Sequence, residues 1–385
     1  MTVSITWLRW ASSSSLVRQR RQPIHFRAHP HNATCQILQD ETLSLPRRSR
    51  DIIPAMRTSL SALLASNRVL LADGATGTNY FKAGLTSGEP PEFWTTDRPD
   101  EVVGLHQRFV DAGADIILTN TFGCNPQRLK LHNAQDRTYE LAKRAAELAR
   151  SVADAASRPI VVAGSVGPTG ELFEPMGALT HDIAVTSFTT QMRGLRDGGA
   201  DVAWMETMSS PEEVNAAAEA ATAVGLPYVA TYSFDTAGRT MMGLLPQSLA
   251  DTFASQPVAP LAVGANCGVG ASDILVTLLH MHDAPYAIVT KGNCGVPHFE
   301  GTEAVYSGTP RLMANYATLA VDAGARIIGG CCGTTPEHLA AMRAAIDSHV
   351  RGDQPTIDTI VEQIGPLTNA APAENTKRPT RRSRR

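Results

Sequence analysis

Short apolar runs recur along the chain from residue 69 onward, each bounded by Gly, Pro, Asn or Ser. Each run is nearly continuous in apolar side chains and contains β-branched residues, which is typical of a strand buried on both faces of a parallel sheet. The pattern predicts eight strands. They lie in VLLADG from Val69, DIILTNTFG from Asp115, PIVVAGSVG from Pro159, DVAWMET from Asp201, PYVATYSF from Pro227, LAVGANCG from Leu261, YAIVTKGN from Tyr286 and RIIGGCCG from Arg326.

Segments with helix-favouring composition separate these runs. Residues 136–156 are dense in Ala, Leu, Glu and Arg, a second helix is predicted from Pro211 after Ser210, and a third from Pro336 after the N-cap Thr335. Eight strands alternating with helices over about 280 residues predict an α/β fold, a single-domain (β/α)8 TIM barrel. The alternative is an open doubly wound sheet with an added domain, but no G-x-G-x-x-G opens a helix after the first strand.

The net charge of -3 conceals an uneven distribution along the 385 residues. Residues 1–50 carry +6 and residues 371–385 carry +5, so the remainder carries -14. An acidic body between basic ends argues against a nucleic-acid partner. We therefore expect a disordered leader over 1–66, the barrel over 67–349, and a linker with a basic tail over 350–385.

The leader permits two interpretations. It is rich in Arg and Ser and has no acidic residue before Asp40, which resembles a mitochondrial transit peptide. The alternative is an unstructured extension upstream of Met56. No apolar run reaches the ~18 residues of a membrane span, so a cytoplasmic protein without a membrane partner is predicted, or a mitochondrial one if the leader is a transit peptide. The sequence leaves the oligomeric state open, a homo-oligomer included.

Reactive groups of a TIM barrel belong at the C-terminal ends of its strands. The residues at those ends are polar or carry thiols, and five of the six cysteines lie at or just after a strand end. The predicted strand-end residues are Asp73, Thr119, Asn120, Thr121, Ser165, Glu206, Ser233, Asn266, Cys267, Asn293, Cys294, Cys331 and Cys332.

Three of these cysteines form a candidate metal site. Cys267 ends the sixth strand, and Cys331 and Cys332 follow the eighth, so three thiolates could meet across the barrel mouth and fill three vertices of a zinc tetrahedron. The alternative is that they are small buried apolar side chains. Cys124 and Cys294 are interpreted as bystander thiols.

Asn266 and Asn293 also allow two interpretations: each either orients a loop around the metal or satisfies backbone groups in a tight turn. The turn role is the expected one.

Four motifs give the sequence a specific resemblance. They are DGATGTN at Asp73, TNTFG at Thr119, GANCG at Gly264 and GGCCGTTPEH at Gly329. The chain resembles the zinc-dependent homocysteine S-methyltransferase family, which includes betaine-homocysteine methyltransferases and the homocysteine module of cobalamin-dependent methionine synthase. The motifs occur in the family's order over residues 69–346.

The resemblance implies methyl transfer to the homocysteine sulfur, giving methionine, with Zn²⁺ held by Cys267, Cys331 and Cys332 as the catalytic group that activates the thiol. It implies that Glu206 binds the substrate amino group, although a carboxylate paired with an Arg is the alternative. It also implies contacts to the amino acid from the Asp-Gly at residues 73 and 74, which could instead be only a turn. The implied substrate-binding residues are Asp73, Gly74, Thr119, Glu206 and Trp94.

The methyl donor is predicted to be glycine betaine, because Trp94 lies where animal betaine enzymes have a donor-contacting Trp and a trimethylammonium group binds aromatic faces. Against this, Gly123 and Thr207 stand where those enzymes have tyrosines, so Phe122, Tyr232 or Trp204 would have to compensate. S-methylmethionine is an alternative. A cobalamin- or folate-linked donor is less favoured, since the chain ends soon after the eighth helix.

A non-enzymatic alternative is a barrel that stores metal or senses redox state through its vicinal thiols. A metal-dependent hydrolase is disfavoured, since no paired His motif ends a strand.

Overall fold

The computed structural model describes residues 57–281, 284–300 and 303–368. Eight strands form one parallel sheet in the order β1-β10-β7-β6-β5-β4-β3-β2, and a bridge between Ala72 and Ile116 links its first and last strands. The predicted TIM barrel and its eight strands are confirmed. The strands are β1 (Leu70–Leu71), β2 (Ile116–Leu118), β3 (Val161–Val166), β4 (Val202–Met208), β5 (Tyr228–Tyr232), β6 (Ala262–Cys267), β7 (Ala287–Gly292) and β10 (Ile327–Gly330). An unpredicted antiparallel hairpin, β8 (Pro297–Glu300) with β9 (Glu303–Tyr306), follows β7.

The helices begin where the sequence supplies caps. The Ser210 side chain accepts a hydrogen bond from the backbone N–H of Glu213, and Thr335 forms a capping box with His338. The helices are α1 (Leu60–Ala65), α2 (Gly77–Lys82), α3 (Trp94–Asp97), α4 (Pro99–Asp111), α5 (Pro126–Leu129), α6 (Thr138–Ala155), α7 (His181–Asp197), α8 (Pro211–Val224), α9 (Leu249–Thr252), α10 (Ala271–Leu279), α11 (Pro310–Asp322), α12 (Pro336–Ser348) and α13 (Ile357–Ile364). Short 3-10 helices cover Pro91–Phe93, Lys130–His132, Gln135–Arg137 and Pro246–Ser248.

Two apolar cores stabilise the barrel. The larger core lies between the sheet and the surrounding helices. The smaller core, which we call the inner core, fills the barrel interior with alternate strand residues that point inward and with two leucines of α1. The inner core consists of Leu60, Leu63, Leu70, Ala72, Ile116, Leu118, Val161, Ala163, Val202, Trp204, Val229, Ala262, Val289 and Ile327.

The folded unit extends beyond both predicted boundaries. Helix α1 lies inside the predicted leader, yet its Leu60 and Leu63 are buried in the inner core. Helix α13 lies inside the predicted tail, yet Ile360 is fully buried and the Ser272 hydroxyl donates to the Gly365 carbonyl at 2.8 Å. Apolar packing at both ends therefore corrects the boundaries at 66 and 350.

The remaining predictions for the ends, the transit peptide and the basic tail, fall at 1–56 and 369–385, outside the described residues. Among the helices that are described, none is both long and apolar enough to cross a membrane.

Candidate active site

Three cysteines meet at the C-terminal end of the barrel. Cys267 is the last residue of β6, and Cys331 and Cys332 directly follow β10. Their three Sγ atoms all lie within 4.8 Å of one another. Within the described residues, no other group of three or more His, Cys, Asp and Glu side chains is arranged to hold a metal ion. The structure therefore brings together the three thiols that the sequence singles out.

Backbone geometry at the strand ends directs these thiols. Cys267 has a φ of 63°, in the left-handed region that non-glycine residues seldom adopt. Asn293 holds the turn, because its side-chain amide donates to the Gly268 carbonyl at 2.8 Å while its oxygen accepts from the Cys332 N–H at 3.0 Å. The same amide lies 3.7 Å from the Cys267 sulfur. Asn293 thus satisfies backbone groups and also orients two of the cysteines.

Asn266 performs the same double task on the neighbouring strands. Its side-chain oxygen accepts from the Thr207 N–H at 2.7 Å, which supports Thr207 at a φ of 62°. Its amide donates to the Thr207 hydroxyl at 2.7 Å and lies 3.9 Å from the Cys331 sulfur. The two interpretations offered for these asparagines are therefore compatible.

The thiols share negative charge unequally. Hydrogen bonds with Cys331 and Cys332, together with burial, raise the pKa of Cys267 well above its usual range. Hydrogen bonds from Cys267 and Cys331 lower the pKa of Cys332. One thiolate is thus favoured at the expense of its neighbours, because like charges in close contact disfavour one another. A divalent cation would remove that conflict and allow all three sulfurs to ionise.

A buried ion pair lies at the same end of the barrel as the cysteines. The Lys291 Nζ atom, on β7, is 2.9 Å from Oδ1 of Asp73, which follows β1. The second oxygen of Asp73 accepts from the Leu118 N–H at 2.7 Å. Burial raises the pKa of Asp73, and the charge of Lys291 opposes that shift. Both oxygens of the carboxylate are therefore occupied by the protein.

Glu206, on β4, is the second buried acid near the charges of Lys291 and Cys331. One of its oxygens accepts from the Ser165 hydroxyl. Burial raises the pKa of Glu206 to about 7, against the opposing charge of Lys291. Unlike Asp73, Glu206 has an oxygen that accepts no hydrogen bond from the described residues, so it is free to receive an ammonium group.

Thr119 and Gly74 support the surroundings of Glu206 and Asp73 in different ways. The Thr119 hydroxyl accepts from the Ser165 N–H at 3.0 Å and lies 2.6 Å from the Thr121 hydroxyl. It therefore fixes the residue that holds Glu206. A Cβ at Gly74 would come within 2.7 Å of the Thr334 carbonyl oxygen. Close packing of the first loop on the last thus requires glycine at Gly74.

The part of the chain that matches a known protein family coincides with the barrel. The sequence profile described as homocysteine S-methyltransferase matches residues 70–346. The chain belongs to this family. The match begins in β1 and ends within α12, so it contains all eight strands of the homocysteine S-methyltransferase barrel and all three cysteines.

Relatives of two kinds are similar to the chain. Methionine synthase of Mycobacterium leprae is 31% identical over 306 residues, covering 75% of this chain and 25% of that protein. The Mycobacterium tuberculosis enzyme is 31% identical over 298 residues, covering 73% and 25%. The chain thus spans about a quarter of the length of these relatives.

Among solved structures, the homocysteine methyltransferase MmuM from Escherichia coli is similar in its metallated form, with 25% identity and a TM-score of 0.63. Its oxidized form is 26% identical with the same TM-score, and each match covers 74% of this chain and 98% of that chain.

Trp94, the predicted donor contact, is packed against other protein groups in the structure. Its ring is buried, its indole N–H donates to Glu89 at 2.9 Å, and the Tyr80 ring centroid lies 4.9 Å away. The guanidinium of Arg98 sits 4.3 Å from the Trp94 ring centroid. A protein cation thus lies over the ring that a donor cation would need, and the donor contact of Trp94 stays a prediction.

Two site residues escaped the sequence prediction. Lys291 was one, although a lysine within an otherwise apolar strand is a detectable signal. The other is Tyr306, on the hairpin, whose hydroxyl hydrogen-bonds to Cys332 and lowers its pKa further. The predicted bystanders Cys124 and Cys294 are buried outside the cluster, and burial raises the pKa of Cys294 to about 11.

Proposed function

We propose that this protein transfers a methyl group from a small cationic donor to the sulfur of homocysteine, giving methionine, with zinc bound by Cys267, Cys331 and Cys332. The observation that carries this proposal is the convergence of three sulfurs within 4.8 Å at the end of a homocysteine S-methyltransferase barrel that also holds the buried carboxylate of Glu206. The metal would activate the acceptor sulfur, and the carboxylate would bind its amino group.

The three cysteines fit zinc by chemistry and by spacing. Thiolates are soft ligands that favour zinc, and Zn–S bonds of about 2.3 Å in a tetrahedron separate the sulfurs by about 3.8 Å. That separation lies within the observed limit of 4.8 Å. Three protein ligands are also the usual number at a catalytic zinc. The family is zinc-dependent in general, and the similar MmuM structure includes a metallated form.

When bound, zinc would supply the Lewis acidity that favours the thiolate of homocysteine at neutral pH, where a free thiol with a pKa of roughly 8.5 is mostly protonated. Glu206 would bind the substrate ammonium through its free oxygen, while Ser165 holds the other. The substrate thiol gives its proton to solvent, and its sulfur forms a bond to the methyl carbon. The donor bond to that carbon breaks, and its electron pair stays on the donor heteroatom, which becomes neutral.

The structure weighs against an aromatic cage for glycine betaine. A Cβ at Gly123 would come 2.9 Å from the Glu92 carboxylate, which already accepts from the Gly123 N–H at 2.6 Å. Asn266 holds both the backbone and the hydroxyl of Thr207. The contacts around Gly123 and Thr207 therefore disfavour an aromatic side chain at either position.

The three aromatic residues considered as substitutes differ in exposure. Trp204 and Tyr232 are fully buried, and Phe122 is 39% exposed. Together with the covered ring of Trp94, this leaves one open ring among the positions considered. We therefore place S-methylmethionine, whose sulfonium is smaller than a trimethylammonium group, ahead of glycine betaine as the donor.

A donor panel tests the proposal. The purified protein, loaded with zinc, is supplied with homocysteine and either S-methylmethionine, glycine betaine or methyltetrahydrofolate with cobalamin, and methionine is measured. We expect methionine from S-methylmethionine and loss of that activity after chelation of the metal. A higher rate with betaine would reverse the donor order. Zinc binding without methionine from any donor would instead favour the metal-storing or redox-sensing alternative.

A further inference from the structure

Lys291 is a buried ammonium whose presence is not explained by stability. It is 2% exposed and lies inside the barrel, 5.8 Å from the centroid of the Trp204 ring. Replacing a buried ion pair with apolar side chains is often neutral or stabilising, whereas removing one partner is costly. The inner core shows that this barrel fills its axis with apolar side chains elsewhere. A charged pair at this level therefore points to a role in the pocket.

The backbone is shaped to let Lys291 pass. A Cβ at Gly329, on the adjacent β10, would come 3.0 Å from Cγ of Lys291 and 3.0 Å from Cβ of Ala72. Gly329 and Lys291 are also direct partners where β10 pairs with β7. The missing side chain at Gly329 thus leaves a passage through which the lysine stem reaches Asp73.

Lys291 gives the two acids different roles, because it pairs with Asp73 and not with Glu206. Asp73 is 1% exposed, its charge is balanced by Lys291, and both of its oxygens are occupied. Glu206 is 9% exposed and keeps one oxygen without a hydrogen bond from the described residues. The ammonium of an amino acid would therefore meet Glu206 rather than Asp73.

The ammonium group of Lys291 also balances the negative charge of the bound acceptor. Homocysteine as its thiolate carries one positive and two negative groups, and the pocket already contains two carboxylates beside the thiols. In the described part of the chain, Lys291 is the cation whose charge acts on Asp73, Glu206 and Cys331 alike. A pocket without this cation would repel the substrate carboxylate.

We propose that Lys291 is a positioning and specificity residue of the acceptor pocket: it neutralises Asp73, leaves Glu206 to bind the ammonium of the acceptor, and favours acceptors that carry a carboxylate. This inference rests on the proposed function. It differs from the expectation drawn from the family resemblance, in which Asp73 contacts the amino acid directly.

The test compares three thiols on zinc-loaded wild-type protein and the Lys291→Met variant by calorimetry. They are homocysteine, 4-mercaptobutanoate, which lacks the amino group, and 3-aminopropanethiol, which lacks the carboxylate. Loss of one charge should weaken 4-mercaptobutanoate most, homocysteine on the order of 10- to 50-fold, and 3-aminopropanethiol least. Equal weakening of all three would overturn the proposal, because a merely structural residue has no reason to distinguish ligand charge.

Two further variants keep the result interpretable. Asp73→Asn with Lys291→Met removes both charges, so it should fold even if the single variant does not. It should also recover most of the homocysteine affinity that Lys291→Met loses, because no uncompensated carboxylate remains to repel the substrate carboxylate. A folded double variant that binds homocysteine as weakly as Lys291→Met would contradict the assigned neutralisation of Asp73. Lys143→Met on the exposed face of α6 is the matched control and should bind all three thiols normally. Because binding is measured, a protein that produced no methionine would contradict the proposed function without affecting this test.

Discussion

The two ends of the barrel interior use the same strands for opposite purposes. Along β4 the inward side chains run from Val202 through Trp204 to Glu206, and along β7 they run from Val289 to Lys291. The change from apolar to charged thus takes two to four residues on each strand. At the N-terminal end Leu60 and Leu63 of α1 join the apolar residues of the inner core.

The difference between the ends separates stability from chemistry. The apolar end buries side chains without polar groups to satisfy, which is favourable by about 1.5–3 kcal/mol for each large aliphatic side chain. The other end contains desolvated carboxylates, an ammonium and three thiols, each of which is costly without its partner. Changes at one end should therefore affect unfolding, and changes at the other should affect metal and substrate binding.

The largest expected effect is at the thiols. Cys331→Ala should lose bound zinc and lower the rate of methionine formation on the order of 10³-fold or more, because two sulfurs hold the ion poorly. Metal content and initial rates measure this. Cys294→Ala is the matched control, since its thiol is buried outside the cluster, and it should retain zinc. Full activity of the Cys331 variant would contradict the proposed metal site.

A change at the opposite end should act on stability alone. Leu60→Ala removes a buried side chain from the inner core and should lower the free energy of unfolding by about 2–3 kcal/mol. Urea denaturation of the metal-free protein measures this, and the KM for homocysteine should not change in the zinc-loaded protein. A large rise in KM would show that the two ends are coupled.

Glu206→Gln should raise the KM for homocysteine by about 10- to 50-fold and retain zinc, since a neutral amide binds an ammonium group less strongly than a carboxylate does. Steady-state kinetics with zinc analysis checks both results. Glu213→Gln offers a matched buried acid: that carboxylate accepts hydrogen bonds from Thr169, away from the cysteines, so its KM should stay normal. Loss of zinc in the Glu206 variant would mean that this residue supports the metal instead.

The smallest effect is a dependence on pH. With a pKa of about 7, Glu206 is ionised above that pH, so the KM for homocysteine should fall about tenfold between pH 6 and pH 8. The raised pKa has the opposite effect on folding: its contribution to stability is present below pH 4.5 and is lost as the pH rises through 7. Kinetics and denaturation across this range measure both trends. If Glu206→Gln showed the wild-type KM profile, another group would be responsible.

The sequence predicted the regular parts of this molecule well, because local signals determine them. Eight apolar runs between turn residues indicated the eight strands, and caps such as Ser210 marked helix starts. The three cysteines could be grouped because parallel strands place their C-terminal ends on one rim.

What the sequence did not predict depends on partners far away in the chain. Trp94 looked available for a donor until the folded chain placed Arg98 and Tyr80 beside its ring. Helix α1 was assigned to the leader because the boundary was set from the basic composition of the preceding residues. The apolar packing of Leu60 places the start of the fold earlier. Lys291 was overlooked because its role depends on Asp73, which is 218 residues away.

The bare backbone at Gly329 has a consequence for transplanting this site into another barrel. A designer who copied the three cysteines with Asn266 and Asn293, which orient them, would reproduce the proposed metal site. A larger residue in place of Gly329 would have its Cβ 3.0 Å from Cγ of Lys291, so the lysine stem would have to shift. The lysine charge that we assign to acceptor choice would then be displaced while the proposed zinc ligands stayed in place, so metal binding and substrate preference could be transferred separately.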